Sequence, residues 1–139
     1  MKIGYFISKR NEKKRVNQEF WTAAKYDDIF ACKGYLDKKR GELRADVNFK
    51  GDNGWTALHF AALNGNSAVT DLLLLHEAEI EAETSLKFTP LIIACQKGHK
   101  EIVQKLITSG ADINSADLYN NTSLHYAAQN GTQFSLRIL

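Results

Sequence analysis

Apolar residues recur three and four positions apart in two stretches of the chain. Val69, Leu72 and Leu73 form one stripe, and Ile102, Leu106 and Ile107 form another. That spacing predicts helices over residues 67–76 and 99–109, the second stopped by Gly110. A shorter apolar segment precedes each. Thr56, Thr89 and the Thr122-Ser123 pair offer side-chain oxygens that cap free amides at a helix start. Pro90 suits a first helical turn. Gly65, Gly98 and Gly131 stand where those helices must end, because a left-handed residue there is cheap only for glycine. Turns project between the pairs, near 47–55, 80–88 and 113–121.

The pattern repeats. Thr56, Thr89 and Thr122 hold one register, as do Leu58, Leu91 and Leu124, then Ala61, Ala94 and Ala127, each 33 residues apart. A fixed period in this range is the mark of stacked supersecondary units, none of which buries its apolar face alone. The units fall at about 17–50, 51–83, 84–116 and 117–139. The first is degenerate. Phe20, Trp21, Thr22, Ala23 and Ala24 align with Leu58 to Ala62, and Ala45-Asp46-Val47-Asn48 closes the unit as Ala111-Asp112-Ile113-Asn114 closes a later one. A charged insertion lies at 37–44. Terminal units are expected to be atypical because one face meets water, so Trp21 is expected in the core or a cap. By register Leu139 matches Leu73 and Leu106, so the chain is expected to stop inside a second helix, leaving an apolar end that something covers or that marks a fragment.

The residues in register resemble the ankyrin-repeat family. Thr89-Pro90-Leu91 carries the first half of its signature. Leu58-His59-Phe60-Ala61-Ala62 and Leu124-His125-Tyr126-Ala127-Ala128 carry the second. The stretch 98–114 is close to the family pattern throughout, and the resemblance extends over about residues 18–139. It implies an all-α solenoid of helix-turn-helix units with projecting β-turns. It also implies a non-catalytic role: binding a protein through turn tips and first helices, as a scaffold or adaptor subunit. The alternative is a regulatory inhibitor or assembly chaperone that occludes a partner surface. At the variable positions the resemblance points to Trp55, Phe88, Leu86, Leu118 and Tyr119 as apolar contacts, with Asp52, Asn53, Asn64, Gln96, Lys97, Asn121 and Gln129 beside them. The competing reading is that Trp55 and Phe88 pack on neighbouring turns. His59 and His125 are implied to be structural, bonding the adjoining turn. Ile92 replaces the imidazole in the middle unit.

Charge adds one feature. The net charge is +2. Residues 1–15 hold Lys2, Lys9, Arg10, Lys13, Lys14 and Arg15 against Glu12, a local +5 that leaves −3 elsewhere. Residues 1–16 therefore read as a basic extension. It is either a solvated tail or a segment whose apolar half, from Met1 to Ser8, docks on the first unit or a partner. Without interleaved stacking aromatics, six cations do not make a nucleic-acid site, and membrane contact is likewise disfavoured. The alternating Glu77, Glu79, Glu81 and Glu83 read as a solvated edge, with a basic partner as the other reading.

Candidate chemistry changes little. Cys95 takes the place of Ala62 and Ala128, as a small buried thiol would. Two unpatterned cysteines fit a reducing compartment and make no zinc spacing. Asp27 with Asp28 does not converge as an acid–base pair must, and Gly51-Asp52-Asn53-Gly54 lacks the sequel of a phosphate loop. The expectation is no enzyme, cofactor, metal or small-molecule substrate. The compartment expected is cytoplasmic, with a mitochondrial presequence the open alternative because the first residues are basic and nearly acid-free.

Overall fold

The computed structural model describes residues 2–39 and 41–130. Seven α-helices occur among them: α1 (Lys2–Lys25), α2 (Ile29–Leu36), α3 (Ala57–Asn64), α4 (Ser67–Leu75), α5 (Pro90–Lys97), α6 (Lys100–Thr108) and α7 (Ser123–Gln129). Within each unit the two helices pack on one another: α1 on α2, α3 on α4, α5 on α6. Between units like packs on like. The inner row runs α1, α3, α5, α7 and the outer row α2, α4, α6. The fold is the all-α repeat solenoid expected. The stretch that holds Gly131 and Leu139, and with it the expectation about the chain's apolar end, lies outside the described residues.

The caps explain the boundaries. Asn66 Oδ1 accepts from the Val69 amide at 2.9 Å and Thr89 Oγ1 from the Ile92 amide at 3.3 Å. At α3 the cap is reciprocal. The Thr56 amide donates to His59 Nδ1 at 3.0 Å, and Thr56 Oγ1 lies 2.8 Å from the same nitrogen. Gly65 ends α3 with φ +71°. The two central inner helices, α3 and α5, are short and largely buried, with Leu58, Ala61, Leu91, Ile92, Ile93 and Ala94 at 2% exposure or less. The outer helices bury a single stripe, Val69 and Leu73 or Ile102, Val103 and Leu106. That difference follows from position: α3 and α5 are each covered by their unit partner and by an inner helix on either side.

The N-terminal extension is not a detached tail. Lys2–Lys25 is one helix that runs through the boundary at residue 16. Its second half supplies Val16, Phe20, Trp21 and Ala24 to the core. Helix propagates readily from an anchored turn through good helix formers, and residues 9–15 contain neither glycine nor proline. Trp21 is buried, as expected for a core or cap residue. Its Nε1 donates to the Trp55 carbonyl at 2.7 Å and its ring stands edge-on to Phe60. The indole lies so close to Gly51 that a Cβ there would overlap it.

Candidate protein-binding face

Each projecting turn is built the same way. The amides of Gly51, Thr84 and Asp117 donate to the carbonyls of Trp55, Phe88 and Asn121, at 2.9, 3.1 and 3.0 Å. Gly54, Lys87 and Asn120 share one register and one left-handed backbone, with φ of 75°, 60° and 61°. Only the first is glycine, so this turn geometry was not legible from residue type. Backbone bonds then tie tip to tip. The Ser85 amide donates to the Asn53 carbonyl at 2.8 Å, and the Leu118 amide to the Leu86 carbonyl at 3.1 Å. The tips therefore form one continuous edge that brings Asp52, Asn53, Leu86, Leu118 and Tyr119 together.

Side chains on this edge divide into two kinds. Leu86, Leu118 and Tyr119 are exposed, at 43%, 53% and 70%. Trp55 and Phe88 are half-buried against the hydrophobic core. The Trp55 ring lies 5.0 Å from Phe60 and 5.7 Å from His59, and Phe88 meets Tyr126 edge-on at 6.3 Å. Both rings thus pack within the stack and keep only part of their surface outward. Gln96, Lys97 and Gln129 are exposed at the far ends of α5 and α7, about 12 Å along the helix axis from the turns. Asn64 is exposed at the corresponding end of α3, but its amide also donates to the Ala24 and Lys25 carbonyls at 3.4 and 3.5 Å. Asn130 repeats this on Cys95 at 2.8 Å and on Gln96. Asn121 is half-buried and donates its amide to Asp117 Oδ1 at 3.0 Å.

Asp117 was not singled out by sequence, yet it shapes the last tip. Its Oδ1 accepts from the Tyr119 amide at 2.8 Å and its Oδ2 from the Tyr126 hydroxyl at 2.5 Å. Burial alone would push this carboxyl up, but the bonds from Tyr126, Asn121 and Tyr119 together outweigh burial and hold it below the ordinary carboxylate value. An aspartate bonding its own backbone two residues on is a turn-former, and this one orients Leu118 and Tyr119. Glu81, read as part of a solvated edge, also fastens two units: its carboxylate accepts from the Asp112 amide at 2.7 Å and the Ser115 hydroxyl at 3.0 Å.

His59 is fully buried, and its role is fixed by its partners. Nε2 lies 2.9 Å from the Phe88 carbonyl, which can only accept, so Nε2 carries the proton and Nδ1 accepts from Thr56. Burial pulls its pKa down to about 4, against the bond to Phe88, and Lys50 adds to the fall. His125 makes the same cap with Thr122, at 3.0 Å, on an exposed helix. Cys32 and Cys95 are buried free thiols. Burial pushes them up to about 11 and about 12, with Asp28 and Asp27 contributing at Cys32. In native protein both should therefore react with a disulfide reagent at least about a hundredfold more slowly than free cysteine, since the thiolate is the nucleophile. Unfolding should release two fast equivalents; a fast equivalent before unfolding would contradict the burial. Among the described residues, no group of three or more His, Cys, Asp or Glu converges as metal ligands do, and no helix is long and apolar enough to cross a membrane.

Comparison with known proteins agrees with this architecture. The chain matches the family described as ankyrin repeats (3 copies) over residues 20–117 and 73–139. It is 38% identical over 119 residues to the probable E3 ubiquitin-protein ligase XBOS32 of Oryza sativa subsp. japonica, covering 85% of this chain and 23% of that protein. It is 37% identical over 83 residues to the E3 ubiquitin-protein ligase XBAT33 of Arabidopsis thaliana, covering 59% of this chain and 16% of that protein. It is 33% identical over 107 residues to neurogenic locus notch homolog protein 1 of Xenopus laevis, covering 76% of this chain and 4% of that protein. The chain thus spans less than a quarter of each of these relatives. With the 33-residue register, the paired helices and the joined turns, the match is decisive: the chain belongs to the ankyrin-repeat family.

Proposed function

We propose that the protein is a non-catalytic binding module that holds a protein partner on the edge formed by its turn tips. Ankyrin repeats mediate protein–protein interaction generally, and the local chemistry fits that use. The observation that carries the reading is the run Leu86, Leu118 and Tyr119, exposed on adjoining tips that a backbone hydrogen bond holds in place. Exposed apolar side chains on a fixed backbone are suited to desolvation by a partner at little ordering cost. Asp52, Asn53, Asn121, Gln96, Lys97 and Gln129 would form the polar surround. Trp55 and Phe88 would add their outward parts while supporting the tips from beneath. No activity of the longer relatives is carried over, because the chain covers too little of them.

The test separates contact from support. A partner captured by the purified chain and identified by mass spectrometry is titrated against wild type and a Leu86→Ala/Leu118→Ala/Tyr119→Ala variant. Affinity should fall at least tenfold, about 1.4 kcal/mol, with the urea midpoint unchanged. Trp55→Ala should lower the midpoint as well, because that ring packs on Phe60. Equal affinity of the triple variant for every captured partner would overturn the assignment.

A further inference from the structure

Residues 2–6 of α1 stand clear of the repeat stack, while Ile7 and Arg10 share a groove with Phe49, and Lys9 and Glu12 one with Gly41 and Leu43. Residues 2–12 are all exposed, Lys13 is the first half-buried residue, and Val16 the first buried one. Behind Lys2, which opens the helix, the apolar and charged residues separate along the helix axis. Ile3, Tyr5, Phe6 and Ile7 occupy the first two turns and are 54–75% exposed. Lys9 and Arg10 follow, with Glu12 the one acid among them, and Lys13, Lys14 and Arg15 continue the run just beyond it; of these Lys13 Nζ also bonds the Arg44 carbonyl and Arg15 pairs with Glu19 at 3.4 Å. At ~100° per residue the apolar four cover more than half the circumference, and Lys9, Arg10, Lys13 and Lys14 fall on that same arc with Arg15 opposite. Arg10 and Lys14 lie on the same side as Ile3 and Ile7. A helix lying flat on an apolar groove or membrane surface needs one apolar side throughout. This one has instead an apolar tip and a cationic collar.

We propose that the tip of α1 enters the interface of an anionic lipid bilayer and that the collar binds the headgroups. The dimensions match. From Ile3 to Ile7 the helix rises about 6 Å, and from Lys9 to Arg15 about 9 Å. Each headgroup layer is about 5–8 Å thick, and the headgroup/acyl boundary is reached at a depth of about 5–10 Å by the apolar face of helices that lie in the membrane plane. Charge complementarity names the occupant: a net +4 over residues 9–15, five cations less Glu12, beside exposed isoleucine and phenylalanine suits a surface that is apolar below and anionic above. An acidic peptide would match the cations but leaves the apolar tip in water. Tyr5 fits the boundary, since Lys9 Nζ lies over its ring at 4.8 Å, pairing an amphipathic aromatic with a cation where tip meets collar. The charged run alone disfavoured a membrane. The helix alters that reading by fixing where the apolar residues sit relative to the cations.

The test is flotation of the full chain with phosphatidylcholine vesicles, with and without phosphatidylserine, at low and high salt. Wild type should float only with the serine lipid, and less at high salt. Arg10→Glu/Lys14→Glu and, separately, Ile3→Ser/Phe6→Ser should each weaken vesicle binding at least tenfold with unchanged thermal unfolding, since none of these side chains is buried. Equal flotation with both lipids, no flotation with either, or wild-type flotation of either variant would overturn the proposal. So would binding to polyglutamate or to an oligonucleotide in the absence of vesicle binding. Failure here leaves the turn-edge reading intact, because the two surfaces share no residue.

Discussion

Acidification from pH 6.5 to about 4 is expected to cost the protein about 3 kcal/mol of stability through His59 alone. The unfolded imidazole titrates near 6.5 and the folded one at about 4. Across that window the unfolded state holds the proton and the folded state does not, so stability rises with pH. The contribution is fully present above 6.5, shrinks as pH falls, and is gone below about 4. The size follows from roughly 2.5 pKa units at 1.36 kcal/mol each. The cause lies in the site. A second proton would have to reside on Nδ1, which already accepts from the Thr56 amide, in a pocket with no water exposure and with Lys50 nearby. Urea unfolding at a series of pH values measures the slope. Carboxylates also titrate at the acid end, so the control is His59→Ile. It places at 59 the residue that stands in register at 92, also fully buried. The variant should be less stable at neutral pH yet lose less between 6.5 and 4. Equal slopes in both proteins would show that His59 is not the acid-labile group.

Gly65→Ala should cost about 3 kcal/mol. About 1 comes from forcing an alanine into φ +71°, and the rest from overpacking. A Cβ on Gly65 would sit 2.6 Å from His99 Nδ1, and that ring cannot swing away freely because its Nε2 donates to the Leu63 carbonyl at 3.1 Å. Gly110 supplies the comparison. It also has positive φ, +98°, but nothing lies within 4 Å of its would-be Cβ. Gly110→Ala should therefore lose only about 1 kcal/mol. A His99→Ala background should bring the Gly65→Ala penalty down to the Gly110→Ala value. If both glycine variants shift the urea midpoint equally in the wild-type background, the imidazole contact is not what constrains Gly65.

These two residues show how much of the fold was legible. Gly65 and His59 were both assigned correctly as helix end and structural imidazole, from register and family resemblance. Neither assignment contained the magnitude, because the partners that make each residue costly to change, His99 and Phe88, lie 34 and 29 positions away. The second helices were placed to within a residue or two, since a one-sided apolar stripe marks its own limits. The binding edge was less legible. Trp55 and Phe88 stand at outward positions in the repeat, but large apolar rings find neighbours, and Phe60 and Tyr126 were within reach. Leu86 and Leu118 acquired their significance from one backbone bond between tips, which leaves no trace in side-chain pattern.

The sequence by itself determined the period, the helix pairs, the caps and hence the solenoid, because each repeat writes its own local signals and stacks only on its neighbours. Tertiary structure decided what depends on meeting across units. It made Asp117 and Glu81 fasteners, drew Asn64 onto the carbonyls of α1, and sorted the turn-tip residues into supporting and exposed. It also decided the form of residues 2–16. Their composition permits a solvated tail. Anchoring of Val16, Phe20 and Ala24 in the core turns the segment into a continuation of α1, because adding a turn to an existing helix avoids the cost of starting one.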